Sequence, residues 1–295
     1  MSNRFRPAWL LVLAALSTSA LAKAPETVNI GYQKANIFAL LKYRGTLDES
    51  LKKQGIAVRW VEFPAGPQML EGLNVGSIDL VYLAHSPANP KTEAIVVPEQ
   101  SAIHSVADLK GKRVGLNKGS DVNYLLVAAL EKAGLSYKDI TPVYLPPADA
   151  RAAFQRGAID AWVIWDPFLA EVETNAKARQ IRNAEGLVPH YTFYLASRKF
   201  ADTYPETAKQ VVDELGKLSA WANSHQDEAA GLLSTSTGLD KGIWLKTLAR
   251  LPYGAERMTP AVYNEQQALA DTFTRIGLLP VKVDVRSATW SLDKP

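Results

Sequence analysis

The stretch Asn117-Lys118-Gly119-Ser120-Asp121-Val122-Asn123 has the residue types and order best suited to chemistry in this chain. It follows a short strand-like run, Arg113–Leu116, and opens an apolar stretch of helical spacing, Asp121–Ala133. At such a junction a glycine lets the backbone approach a ligand, a serine caps the helix, and the first-turn N–H groups form an anion site. A sulfonate, phosphate or carboxylate suits such a site. The same pattern also serves as an ordinary helix cap with no ligand, and the motif by itself does not choose.

Two further stretches compete for a functional role. In Ala161-Trp162-Val163-Ile164-Trp165-Asp166-Pro167-Phe168, a buried strand ends on an indole and a carboxylate. Trp165 suits a pocket wall, and Asp166 suits a donor on a ligand or a bridge between lobes; core packing for Trp162 and a turn at Asp166-Pro167 are the alternatives. In Gly31-Tyr32-Gln33-Lys34, the Gln33 amide suits an oxyanion and Lys34 adds charge, or the segment is a solvated loop. Catalysis has no comparable candidate. His85, His104, His190 and His225 are scattered without metal-ligand spacing. No G-x-S-x-G elbow or phosphate loop is present. Asp79, Asp160 and Asp166 sit at or near strand ends without a base–nucleophile set around them. The expectation is a binding protein, with no enzyme activity, no cofactor and no metal.

The elements that must position these residues alternate between β and α patterns. Val28–Tyr32, Val58–Phe63 and Ile78–Leu83 read as strands, with helices over Ile37–Gln54 and from Gly66-Pro67 through Leu73. Pro67 stands at the first helical position, where its missing N–H costs nothing. This βαβαβ unit implies a parallel sheet with right-handed crossovers. A second unit holds strands Arg113–Leu116, Ile140–Leu145, Ala161–Trp165 and Tyr191–Ala196, with helices Asp121–Ala133 and Pro147–Arg156, each ended by a glycine. From Tyr204 the apolar spacing is helical through Gly277. One connection breaks the pattern. Ile78–Leu83 and Glu93–Val97 both read as buried strands, yet only Ala84–Thr92, with Pro87 and Pro90, lies between them. A parallel crossover takes about a dozen residues and usually a helix.

At 295 residues, 47% hydrophobic and 21% charged, the chain has room for two lobes of ordinary size. The formal charge of +3 gives no nucleic-acid footprint. Arg4 and Arg6, the apolar run Ala8–Leu16 and the sequence Ala20-Leu21-Ala22 make a secretory leader cut after Ala22. Cysteine is absent, which removes disulfides, thiolate chemistry and lipid attachment through cysteine.

Several stretches together resemble the aliphatic sulfonate-binding proteins of ABC importers: IGYQK, VRWVEFPAGPQMLEGLNVGSIDL, SVADLKGKRVGLNKGS, PVYLPPADARAAFQRGAIDAWVIWDPF and FYLASR. The resemblance runs from Val28 to Trp290. The wider group also takes taurine, nitrate or thiamine-precursor pyrimidines. It implies an α/β protein of the type II periplasmic binding class, with two lobes and a cleft that closes on ligand. Lobe I would comprise 23–112 and 197–295, and lobe II 113–196. It further implies a monomer in the periplasm that captures a small organic sulfonate or related anion. An importer's permease and ATPase would receive it, for sulfur acquisition. The family pattern places Gln33 in the first-lobe loop of the cleft and Gly119, Ser120 and Asn123 at the second-lobe helix start. Trp165 and Asp166 fall at the second-lobe strand end and Thr192 on the returning strand. Against that pattern, Asp79-Leu80 runs straight into Val81-Tyr82, as if a turn and a helix of the first lobe were missing. That loss would leave apolar surface beside the sheet, and a weakened or altered binder is the alternative it raises.

Overall fold

A computed structural model describes residues 24–34, 37–75, 80–251, 253–288 and 290. The expected leader and the start of the expected strand Ile78–Leu83 lie outside them. Among the described residues, nine strands form two sheets: β1 Thr27–Tyr32, β2 Ala57–Glu62, β3 Leu80–His85, β4 Glu93–Pro98, β5 Arg113–Leu116, β6 Thr141–Tyr144, β7 Ala161–Trp165, β8 Ala178–Asn183 and β9 Phe193–Ala196. The first sheet runs β2-β1-β3-β9 and the second β6-β5-β7-β4-β8.

This topology resolves the short connection. β3 and β4 lie in different sheets, so Ser86–Thr92 carries the chain from one sheet to the other and no helix is needed to return it within one. β4 then pairs antiparallel with β7 and β8. The return runs between β8 and β9, beside the outgoing segment. Ser86 N–H donates to the Thr192 carbonyl (2.8 Å), Asn89 N–H to the His190 carbonyl (3.1 Å) and Thr192 N–H to the Ser86 hydroxyl (3.1 Å). Glu93–Pro98 thus sits in the second sheet, where a boundary at 112/113 put it in the first lobe. Phe193–Ala196 sits in the first sheet, where a return at 196/197 put it in the second lobe.

The second sheet is covered on both faces, as the unbroken apolar sequence of β4 and β7 requires. Side chains alternate across a strand. Ile95, Val97, Ala161 and Val163 therefore pack with Leu125, Leu126 and Leu130 of helix Asp121–Lys132. Ala94, Val96, Trp162 and Ile164 pack with Phe154 of helix Pro147–Gln155 and with Leu169 and Val172 of helix Phe168–Asn175. Trp162 is fully buried, so packing is its role.

In the first sheet, Val28, Ile30 and Tyr32 bury one face against helices Ile37–Arg44, Pro205–Ser224, Gln226–Thr237 and Lys241–Leu248. Among the described residues, the other face holds a small cluster of Val61, Phe63, Met69, Leu73 and Leu195 under helix Gly66–Asn74. Val75, just past that helix, is 77% exposed. The helix expected over 37–54 is two helices, Ile37–Arg44 and Thr46–Lys52, because Gly45 takes a left-handed conformation (φ 73°) that glycine adopts without steric cost.

Candidate functional site

A cavity of about 540 Å³ lies between the two sheets, walled by strand ends and by both connecting segments. Gln33 reaches it from the end of β1, Gly119 and Ser120 from the loop after β5, Trp165 and Asp166 from the end of β7, and Thr192 from the return segment. Six of the seven residues expected at the site therefore share one cavity. Asn123 does not line it.

Asn123 is fully buried behind the loop. Its Oδ1 accepts the Gly119 N–H at 3.1 Å and its Nδ2 donates to the Tyr137 hydroxyl at 3.2 Å. It holds the 117–120 turn in shape. Ser120 is the N-cap residue, with extended backbone, but its hydroxyl donates to the Asn117 carbonyl at 2.7 Å rather than capping the helix. The Gly119 N–H is thus engaged, while those of Ser120 and Asp121 have no acceptor within the helix, and both residues line the cavity.

Trp165 is half-buried and offers an apolar wall. Asp166 is buried. Its Oδ1 accepts the Ala170 N–H at 2.9 Å, and Arg250 stands 3.5 Å away. Burial pushes the Asp166 carboxyl up to about 7, with Arg250 opposing the shift. Arg250 also donates to Glu173 at 2.6 Å, which Lys246 meets at 2.7 Å. This clamp joins helix Phe168–Asn175, packed on the second sheet, to the end of helix Lys241–Leu248, packed on the first. Gln33 is buried with its amide nitrogen 3.8 Å from where a Cβ on Gly66 would stand. Lys34 forms an exposed pair with Glu62 at 3.4 Å and is absent from the wall. The remaining lining is rich in rings, among them Tyr124, Tyr191, Phe193, Tyr253 and Tyr263.

Sequence spacing missed one group at this cavity. His190, Glu93 and Asp121 are far apart in the chain, yet His190 Nδ1 lies 3.1 Å from Glu93 Oε2 and 3.2 Å from Asp121 Oδ2. Only the unusual backbone of His190 (φ 52°) marks it locally, and that is invisible in sequence. Burial lowers the affinity of the imidazole for a proton, but the Glu93 and Asp121 carboxylates outweigh it and push His190 up to about 9. Burial raises Glu93. The polar end of the cavity therefore offers two helix N–H groups, one imidazole and three carboxyl groups, Glu93, Asp121 and Asp166.

Comparison with known proteins follows the same outline. Residues 68–229 match the family described as NMT1/THI5 like. A protein of Escherichia coli strain K12 named for binding aliphatic sulfonates is 39% identical, with 94% of this chain and 93% of that one covered. A protein of Bacillus subtilis strain 168 with the same name is 30% identical, over 90% of this chain and 86% of the other. The crystal structure of the alkanesulfonate-binding protein SsuA from Xanthomonas axonopodis pv. citri bound to MOPS superposes with a TM-score of 0.86 at 40% identity, over 91% of this chain and 99% of that one. The architecture is that of a type II periplasmic binding protein. The E. coli alignment spans 300 positions, more than this whole chain, although it takes in 94% of it, so it must open gaps in this chain.

Proposed function

Because the chain belongs to the NMT1/THI5-like family, among relatives named for binding aliphatic sulfonates, we propose that it is a solute-binding protein for alkanesulfonates. In this reading it is an exported, monomeric, periplasmic protein that hands its ligand to an ABC importer for sulfur acquisition, and it binds without turnover. The observation that carries the reading is one cavity lined by the helix start at Ser120 and Asp121, by Gln33 and by the Trp165 wall, between two sheets joined by paired connections. A sulfonate spreads one negative charge over three oxygens, and backbone N–H groups and amides hold such a charge by hydrogen bonds without a full counter-charge. The alkyl tail gains about 0.8 kcal/mol per methylene moved out of water against the indole and the tyrosine rings.

The test is a thermal shift and calorimetric titration with ethanesulfonate, octanesulfonate, taurine, nitrate and sulfate. A ligand that binds only the folded state raises the melting temperature by mass action. The expected result is a rise with the alkanesulfonates that exceeds any rise with nitrate or sulfate, and the best tail length measures the pocket. A rise with taurine or nitrate alone reassigns the ligand within the family. A cooperative melt that none of the five moves refutes the reading and identifies a chain that has lost its ligand.

A further inference from the structure

Glu93, Asp121 and His190 are an ion pair by distance only. The His190 Nδ1 and both Glu93 carboxylate oxygens are buried and lack a hydrogen-bond partner, so the carboxylates flank the ring nitrogen rather than lie on its N–H axis. Glu93 is 0% exposed, and a buried carboxylate with no donor is costly. One donor atom from each residue lies within 4.8 Å of the other two, close enough for all three to reach one ion. Tetrahedral zinc with nitrogen and oxygen bonds of about 2.0–2.2 Å sets its ligand atoms about 3.3–3.6 Å apart. The His190–Glu93 and His190–Asp121 separations of 3.1 and 3.2 Å are slightly shorter than that edge. Two carboxylates and a neutral imidazole also carry the charge that a divalent ion cancels. One imidazole with two carboxylates is a ligand set that suits zinc.

The three ligands come from three places that the fold alone brings together: the start of β4, the first turn of helix Asp121–Lys132, and the return segment at His190. All three line the cavity, so a fourth coordination position would face into it. We propose that Glu93, Asp121 and His190 form a divalent-cation site, best fitted by zinc, whose open position faces the cavity and meets the anionic group of the ligand. The metal site stands on its own geometry; the role of its open position rests on the sulfonate reading. A cation there would cancel the charge of Glu93 and Asp121 on a wall that otherwise sets three carboxyl groups beside an anion.

The experiment is a calorimetric titration of the chelator-stripped protein with ZnCl2, beside MgCl2 and CaCl2. Equimolar zinc binding, micromolar or tighter and well ahead of the other two ions, is expected. Glu93→Gln and His190→Gln should each weaken zinc by at least about a hundredfold, while the exposed His225→Gln leaves it unchanged. Should either cavity variant fail to fold, Co2+ bound to the wild-type protein gives a second readout, since tetrahedral coordination produces intense visible absorption. No stoichiometric zinc binding, or binding that both cavity variants leave intact, overturns the site. Ethanesulfonate is then titrated with and without zinc. Tighter binding with zinc supports the open position, and unchanged affinity refutes that role. Absence of sulfonate binding in both arms falls on the functional reading, and the zinc titration separately decides the metal site.

Discussion

Among the described residues, the two sheets differ in how their strands are paired and covered. In the second, β4 is paired along its length on both sides, and helices cover both faces. In the first, among the described residues, β3 meets β1 at one pair, Ile30↔Leu80, and meets β9 through a register that shifts twice. Among the described residues, one face of that sheet carries a large core and the other a cluster of five residues. Both sheets wall the same cavity, yet the polar groups most fit for anions and cations stand mainly on the second. The second sheet supplies most of the chemistry here, and the first supplies the opposing wall.

The strongest way to break this comparison is to open the core of each sheet. Trp162→Ala in the second sheet should cost about 3–5 kcal/mol in a denaturant melt. Val61→Ala, under the thin face of the first, should cost about 1 kcal/mol, because fewer atoms surround it. Equal costs would mean that the two sheets are packed alike.

The second sheet has its own sensitive point at His190, which faces Glu93 from β4, Asp121 from the helix start and Asp166 from the end of β7. Its proton affinity in the folded state, about 9, lies above the ordinary 6.5, so it contributes stability that is complete below pH 6.5 and lost as pH rises through 9. The upward shifts of Glu93 and Asp166 act in the same direction. The metal-free protein should lose up to about 3 kcal/mol between pH 6.5 and 9 from His190. A pH series of melts on wild type and His190→Gln checks this, and an equally steep fall in the variant sinks it.

Hydrogen exchange sharpens the contrast without mutation. Amides of Ala94–Val97 should exchange about a hundredfold more slowly than those of Leu83–His85, roughly 2.7 kcal/mol in opening free energy. Matching rates would show β3 to be as well held as β4. At the cavity, Trp165→Ala should weaken alkanesulfonate binding at least tenfold, about 1.4 kcal/mol, by calorimetry. Unchanged affinity would remove Trp165 from the binding wall. The smallest effect belongs to Val75→Lys, within about 0.5 kcal/mol by thermal melt. A cost above about 1 kcal/mol would mean that this exposed side chain is covered in solution.

The sequence was readable where a residue's neighbours in the chain decide its fate. The apolar runs of β4 and β7 announce strands buried on both faces, and the Gly119-Ser120 junction announces a helix start. It was less readable where pairing decides. β8, Ala-Arg-Gln-Ile-Arg-Asn, is charged along much of its length and becomes a strand because β4 lies beside it. Helix Phe168–Asn175 is too short to show a clear period. At the site, single residues at strand ends could be picked out because parallel strands carry ligands at their carboxyl ends. Asn123 could not be sorted from them, since its side chain turns back to brace Gly119. The Glu93, Asp121 and His190 cluster was out of reach, because no spacing joins residues that meet only when two connecting segments run side by side.

Those two segments also fix what kind of mechanism the molecule is. Two bodies tied by adjacent crossings turn most easily about the line through them, but the C-terminal helix Pro260–Arg275 adds a further contact, where Phe273 meets Tyr124 and Arg275 pairs with Glu131. No bond along the chain sets that angle; side chains that meet across the gap must do so. The clamp of Arg250 and Lys246 on Asp166 and Glu173 is one such contact, and it is made of charge. Charged contacts yield to dissolved salt in proportion to their exposure to it, whereas apolar ones do not. Asp166, Glu173 and Arg250 are mostly buried, so the resting angle between the halves is held by charge that the surrounding electrolyte barely reaches.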